Sequence, residues 1–170
     1  MLIDEFLPEY DFVETHDISI RADAAKIYHV AHEIDFSESL IIRGLFLLRG
    51  MSAENLTLQS LRKFRFEILG ETLNQEMVLG LVGRFWTFQG DLKKIDAESF
   101  KRFNTAGYAK AVWNFSIDAD GAHTRLKTET RIKCLDRESR KSFGRYWVFI
   151  RPFSGLIRIK MLKTIKRKAE

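Results

Sequence analysis

The chain has 170 residues, 45 % hydrophobic and 30 % charged, with a formal net charge of +5, two prolines and ten glycines; this is the composition of an ordinary globular protein, large enough to bury a sizeable core and short of linker material, and it predicts one domain over residues 1–170. No stretch approaches the ~18 consecutive apolar residues of a membrane span, and the acidic start Met1 to Tyr10 lacks the positive region of a secretory signal. The lone Cys134 allows neither an internal disulfide nor a thiolate zinc cluster, so the expectation is a cytoplasmic protein with a buried, unreactive thiol.

Phe12, Glu14, His16, Ile18 and Ile20 alternate with Val13, Thr15, Asp17 and Ser19, which predicts a first strand with two distinct faces. Asp23 stands where a helix N-cap belongs, and Ala24, Ile27, Tyr28 and Ala31 follow at helical spacing, giving a short helix over 24–33. Ser37 offers a second cap before Leu40, Ile41, Leu45 and Leu48, with Gly50 as the stop, and predicts a second short helix. The leucines at 56, 58 and 61 read as a connector.

Beyond residue 63 the period becomes two. Phe64 to Thr72 and Gln75 to Gly83 read as a hairpin turned by Glu71 to Asn74, and Arg84 to Gln89 as its continuation after a bend at Gly83. The strongest hairpin signal joins Tyr108 to Ile117 with His123 to Cys134 through Asp118-Ala-Asp-Gly121. On it Ala109, Ala111, Trp113, Phe115 and Ile117, with Leu126, Thr128, Thr130, Ile132 and Cys134, make a buried face against a wet face of Arg125, Lys127, Glu129, Arg131 and Lys133.

From Asp136 the period returns to that of a helix. Phe143, Tyr146, Trp147 and Ile150 form one stripe, and Leu156, Ile157, Met161 and Ile165 continue it beyond Pro152, where the missing amide donor predicts a kink or restart near 150–155 and two helical segments of roughly 15 residues each. Residues 136–170 hold eleven Lys/Arg against three acids, leaving the rest of the chain acidic by three. The short turns between the later strands exclude a parallel βαβ sheet. The order therefore predicts an α+β chain: a first strand, two short helices, a curved antiparallel sheet of about five or six strands, and a long C-terminal α-helix around which the sheet wraps.

That order, opening with Ile18-Ser-Ile-Arg-Ala-Asp-Ala-Ala-Lys-Ile-Tyr28, resembles the START-like helix-grip superfamily of polyketide cyclases and lipid-transport proteins. The segments Gly80-Leu-Val-Gly-Arg-Phe-Trp86, Gly107-Tyr-Ala-Lys-Ala-Val-Trp-Asn-Phe115, Thr128-Glu-Thr-Arg131, and Tyr146-Trp to Ser154-Gly-Leu-Ile-Arg158 are similar to those of a bacterial branch of it. The resemblance spans nearly the whole chain and implies a ligand cavity between sheet and helix, for molecules such as lipids or polyketides.

The inward residues supply the candidates for its wall. His16, Trp86, Trp113, Thr128, Tyr146 and Ile150 combine apolar surface with a few polar groups, as ligand pockets do, and Arg84 beside Trp86 offers a charged fork. The same aromatics are also what a filled core contains. No nucleophile elbow, phosphate loop or dinucleotide fingerprint is present, no cofactor is implied, and His29 and His32 lack the third ligand of a zinc site, so no metal is expected. The leading expectation is binding or carriage of a small hydrophobic molecule. The alternative is cyclase or dehydrase chemistry using His16 or Tyr146 as acid or base. A third reading is peripheral contact with an anionic membrane, or docking to nucleic acid, through Arg158, Lys160, Lys163, Lys166, Arg167 and Lys168; the packing stripe of Leu156, Ile157, Met161 and Ile165 argues against base stacking there.

Overall fold

The computed structural model describes residues 1–35, 57, 65–88, 90–120 and 123–170. The expected second helix over 37–50 and all of the connector except Thr57 lie outside these. The described chain runs through helix α1 (Leu2–Phe6), strand β1 (Phe12–Ile20), α2 (Ala24–Glu33), β2 (Glu67–Thr72), β3 (Glu76–Gly83), α3 (Ala97–Arg102), β4 (Ala109–Asp120), β5 (His123–Cys134) and α4 (Arg137–Ala169). Asp23 caps α2 as its position predicts, accepting a hydrogen bond from the Lys26 amide at 2.8 Å. In the β2–β3 turn Asn74 takes a left-handed φ of 59°, a conformation its short polar side chain tolerates.

The described strands form one antiparallel sheet in the order β1-β5-β4-β3-β2. The first strand thus pairs with the last, His16 opposite Thr128 and Glu14 opposite Thr130. The long helix α4 covers one face of this sheet, with α2 beside it, which is the helix-grip arrangement.

Two apolar clusters lie under α4. At its C-terminal half Met161, Leu162 and Ile165 pack with Ile20, Ile27, Met77, Leu79, Trp113, Phe115 and Leu126. At its N-terminal half Phe143 meets Phe12, Ile132, Trp86, Tyr146 and Trp147 in a group of edge-on, tilted and stacked rings.

Three expectations are corrected. The second face of the β4–β5 hairpin is only partly wet: Arg125 stays exposed, but α1 and α3 cover the same face of the sheet further in, packing Ile3, Phe6 and Phe100 on Val78, Val82 and Val112. Glu129 and Arg131 are buried and paired beneath that cover. Arg131 donates to Glu129 at 2.6 Å, to Asp4 at 2.8 Å and to the Leu7 carbonyl at 3.1 Å, while Glu76 accepts from the Leu2 amide at 2.6 Å and from the Asn114 amide nitrogen at 2.7 Å. Burial pushes the Glu129 carboxyl up, but hydrogen bonds from Lys127 and Arg131 outweigh it and hold the group below its usual value.

Second, Arg84 to Phe88 leave the sheet. The Arg84 amide donates to the Gly90 carbonyl at 2.6 Å, and a Cβ on Gly83 would stand 2.9 Å from that same oxygen, so the glycine marks a close backbone approach where the strand ends. Third, α4 is continuous from Arg137 to Ala169 with Pro152 inside it. Pro152 and Val148 are both on the exposed side of the helix, where water can bind the carbonyl that the proline leaves without a donor.

Candidate functional site

Between the two clusters under α4, the covered face turns polar. Along β1 the inward residues run Phe12, Glu14, His16, Ile18, Ile20, and along β5 Ile132, Thr130, Thr128, Leu126, so strand register sets Glu14, His16, Thr128 and Thr130 in one block flanked by apolar side chains. Trp113 stands on β4 opposite Thr130. Glu14 is 7 % exposed. Its Oε1 lies 3.2 Å from His16 Nε2; a carboxylate only accepts, so Nε2 carries the proton in this contact and Nδ1 is the acceptor while the ring is neutral.

The middle of α4 closes the block. A Cβ on Gly155 would fall 2.8 Å from Glu14 Oε1 and 3.4 Å from His16 Nε2, so any larger residue there would have to displace the Glu14 carboxylate from the pair. One turn on, Arg158 points inward. Its guanidinium carbon sits 3.9 Å from the centroid of Trp113. Burial lowers the Arg158 pKa to about 10 against the opposing pull of the Glu14 charge, which leaves the group cationic at neutral pH. Two atoms of this site are buried with no hydrogen-bond partner among the described residues: Glu14 Oε2, an acceptor, and Arg158 Nε, a donor.

The hydroxyl of Thr128 is already engaged. It accepts from Trp113 Nε1 and donates to the Asn114 carbonyl, both at 2.7 Å, and so fixes the ring on which Arg158 lies. Of the residues singled out from the sequence, the structure brings together His16, Trp113 and Thr128. Trp86 and Tyr146 belong to the aromatic cluster at the N-terminal half of α4, with Trp86 6.0 Å and Tyr146 5.8 Å from the Phe143 ring. Ile150 is half-buried on the helix between the two. Arg84 lies apart, over the Tyr108 ring at 4.6 Å.

Glu14 and Arg158 are site residues that the sequence reading does not select. Glu14 carries a signal, an acid on the inward face of β1; Arg158 falls by sequence in an exposed basic patch, and its inward position corrects that assignment. The helical histidines pair with separate acids, His29 with Glu33 at 3.1 Å and His32 with Glu71 at 3.6 Å. An open hollow of about 580 Å³ at the β1–α2 turn, lined by Arg21, Asp23 and His123, lies apart from Glu14, His16 and Arg158.

No family model matches the sequence, and no curated protein matches it. Among solved structures it is similar to TTHA0849 from Thermus thermophilus, at 9 % identity and a TM-score of 0.34 over 93 % of this chain and 97 % of that one. It is also similar to CalU16 from Micromonospora echinospora (7 %, 0.33, 92 % and 85 %) and to the Zhui aromatase/cyclase from Streptomyces sp. R1128 (12 %, 0.32, 94 % and 96 %). The helix-grip assignment rests on the chain's own topology.

Proposed function

We propose that the chain binds a small, largely apolar molecule between the sheet and α4, and that a hydroxyl or comparable group on it, able both to donate and to accept, meets Glu14 and Arg158. The observation that carries this reading is the pair of buried atoms of opposite character, Glu14 Oε2 and Arg158 Nε, left without partners among the described residues and set between two apolar clusters. A buried polar atom without a partner costs about 1–3 kcal/mol, and a group that satisfies both atoms recovers part of that cost. Trp113, held by Thr128, supplies a flat apolar wall.

Thermal-shift titration with matched aromatic pairs, 2-naphthol against naphthalene and a hydroxysteroid against its deoxy form, tests the reading. The hydroxylated partner is expected to stabilise the wild type more, and the difference is expected to vanish in Glu14→Gln and Arg158→Met. Equal shifts from both partners in all three proteins contradict the role of the polar pair.

The Glu14–His16 contact favours a second reading, in which His16, oriented by the carboxylate, takes a proton from the bound molecule through Nδ1. Tyr146 is nine residues from Gly155 along α4, about 14 Å by helical rise, and belongs to a different cluster. Proton transfer at this site therefore rests on His16. Turnover of a bound substrate lost in His16→Ala while binding survives would establish it.

A further inference from the structure

The helix α4 has a second apolar face, turned away from the sheet. Its inner side is made by Phe143, Gly155, Met161, Leu162 and Ile165, all buried. On the opposite side stand Val148, Phe149, Phe153, Leu156 and Ile159, exposed, with Val148 at 79 % and Phe149 at 70 %. At 100° per residue Val148, Phe149, Pro152, Leu156 and Ile159 fall within one arc of about 100°, and they run about 16 Å along the helix. The Phe149 and Phe153 rings lie 5.8 Å apart. Scattered apolar side chains on a surface are ordinary, but a continuous arc is the mark of an interaction face.

Charge identifies the kind of surface it meets. Arg145 precedes the arc by one turn, and Lys160 and Lys163 follow it; all three are exposed, and none forms an ion pair with a described residue. No Asp or Glu occurs from Ser139 to Ala169. A second copy packed antiparallel on this face would set Arg145 against Lys160 and Lys163, cation against cation. A nucleic-acid backbone would press hydrated phosphates on the apolar centre. We infer that this outward face of α4 docks on an anionic lipid bilayer: the apolar centre enters the boundary between headgroups and acyl chains, and the cations at either end meet lipid phosphates. The surface is independent of the polar site on the helix's inner side.

Co-sedimentation of the full chain with phosphatidylcholine vesicles, with and without phosphatidylglycerol, tests this. Affinity is expected to be at least about tenfold higher with phosphatidylglycerol and to fall as salt is raised. Phe149→Asp with Leu156→Asp should remove most binding. Lys160→Glu with Lys163→Glu should abolish the preference for anionic lipid. Both pairs are exposed and should leave the thermal melt within a few degrees of wild type; the milder Phe149→Ala with Leu156→Ala serves if the aspartate pair unfolds the protein. No binding to phosphatidylglycerol vesicles, or binding unchanged by the apolar substitutions, overturns the inference. So does self-association, or duplex DNA binding, that uses this face while vesicles are ignored.

Discussion

The guanidinium of Arg158 lies 3.9 Å from the centroid of the Trp113 ring, on the face of the sheet that α4 covers. A cation in that position is held by the ring and by the field of Glu14, and its Nε has no partner of its own among the described residues. Removing the cation leaves Glu14 as an uncompensated buried charge. Arg158→Met is expected to cost about 2–3 kcal/mol, at or below the ~3–5 kcal/mol of breaking a contact ion pair. Glu14→Gln should cost about 1–2 kcal/mol. The double variant should lose less than the two combined by about 1 kcal/mol or more in urea unfolding. Strict additivity would show that the two groups are energetically separate.

Two glycines of α4 make a paired test. A Cβ on Gly144 would meet Phe12 Cζ at 3.5 Å, an ordinary contact, and one on Gly155 would meet Glu14 Oε1 at 2.8 Å. The gain in helix propensity from Gly to Ala is up to ~1 kcal/mol at either position, while overpacking costs ~1–3 kcal/mol only at the second. Gly144→Ala should therefore raise the melting temperature. Gly155→Ala should lower it and weaken ligand binding by moving the Glu14–His16 pair. Equal effects of the two substitutions would refute the close approach of the helix to that pair.

Asp136 caps α4. It accepts from the Glu138 and Ser139 amides at 2.9 Å, from the Ser139 hydroxyl at 2.7 Å and from the Gly107 amide. The Ser139 hydrogen bonds, first its hydroxyl and then its amide, pull the carboxyl down to about 2. Because the folded value lies below the unfolded one, this stabilisation is complete above about pH 4 and is lost as the pH falls from 4 toward 2. Asp136→Asn keeps a cap but removes the titration. Between pH 5 and pH 2.5 the variant should therefore lose less melting temperature than wild type. Parallel pH profiles would contradict the assignment.

Much of the architecture is legible in the sequence because its determinants are local. The Asp23 cap, the period of β1 and the alternation of β4 and β5 can each be read within a dozen residues. What escapes depends on distant partners. Arg158 sits in a run of surface lysines, yet it turns inward over Trp113, in the field of an acid on β1 144 residues earlier. The charged face of β5 looks solvated until residues 2–7 cover it and Arg131 finds Asp4. The aromatic-rich run Arg84 to Phe88 reads as strand, but the Gly90 carbonyl takes the amide that would have extended the ladder. Of the site, His16, Trp113 and Thr128 are legible as inward positions. Their division of labour is not, since the Thr128 hydroxyl proves to be spent on Trp113 and Asn114.

Cys134 is buried, and burial pushes its thiol up to about 12, with Asp11 adding to the shift. Alkylation by iodoacetamide at pH 8 should therefore be slow in the native protein and fast in urea. Its native rate should follow global unfolding across destabilised variants such as Arg158→Met. Fast labelling of the folded wild type would show that the thiol is not enclosed by β5 and its neighbours.

Binding of an apolar molecule at Glu14 and Arg158 is tested most directly by native mass spectrometry of detergent-free protein. The predicted result is a stoichiometric adduct, present as isolated or after incubation with a lipid extract, which proves on extraction to be an apolar compound with a hydroxyl or comparable donor–acceptor group and is absent from Arg158→Met. An unmodified mass under both conditions, or an adduct equally retained by Glu14→Gln and Arg158→Met, would contradict it.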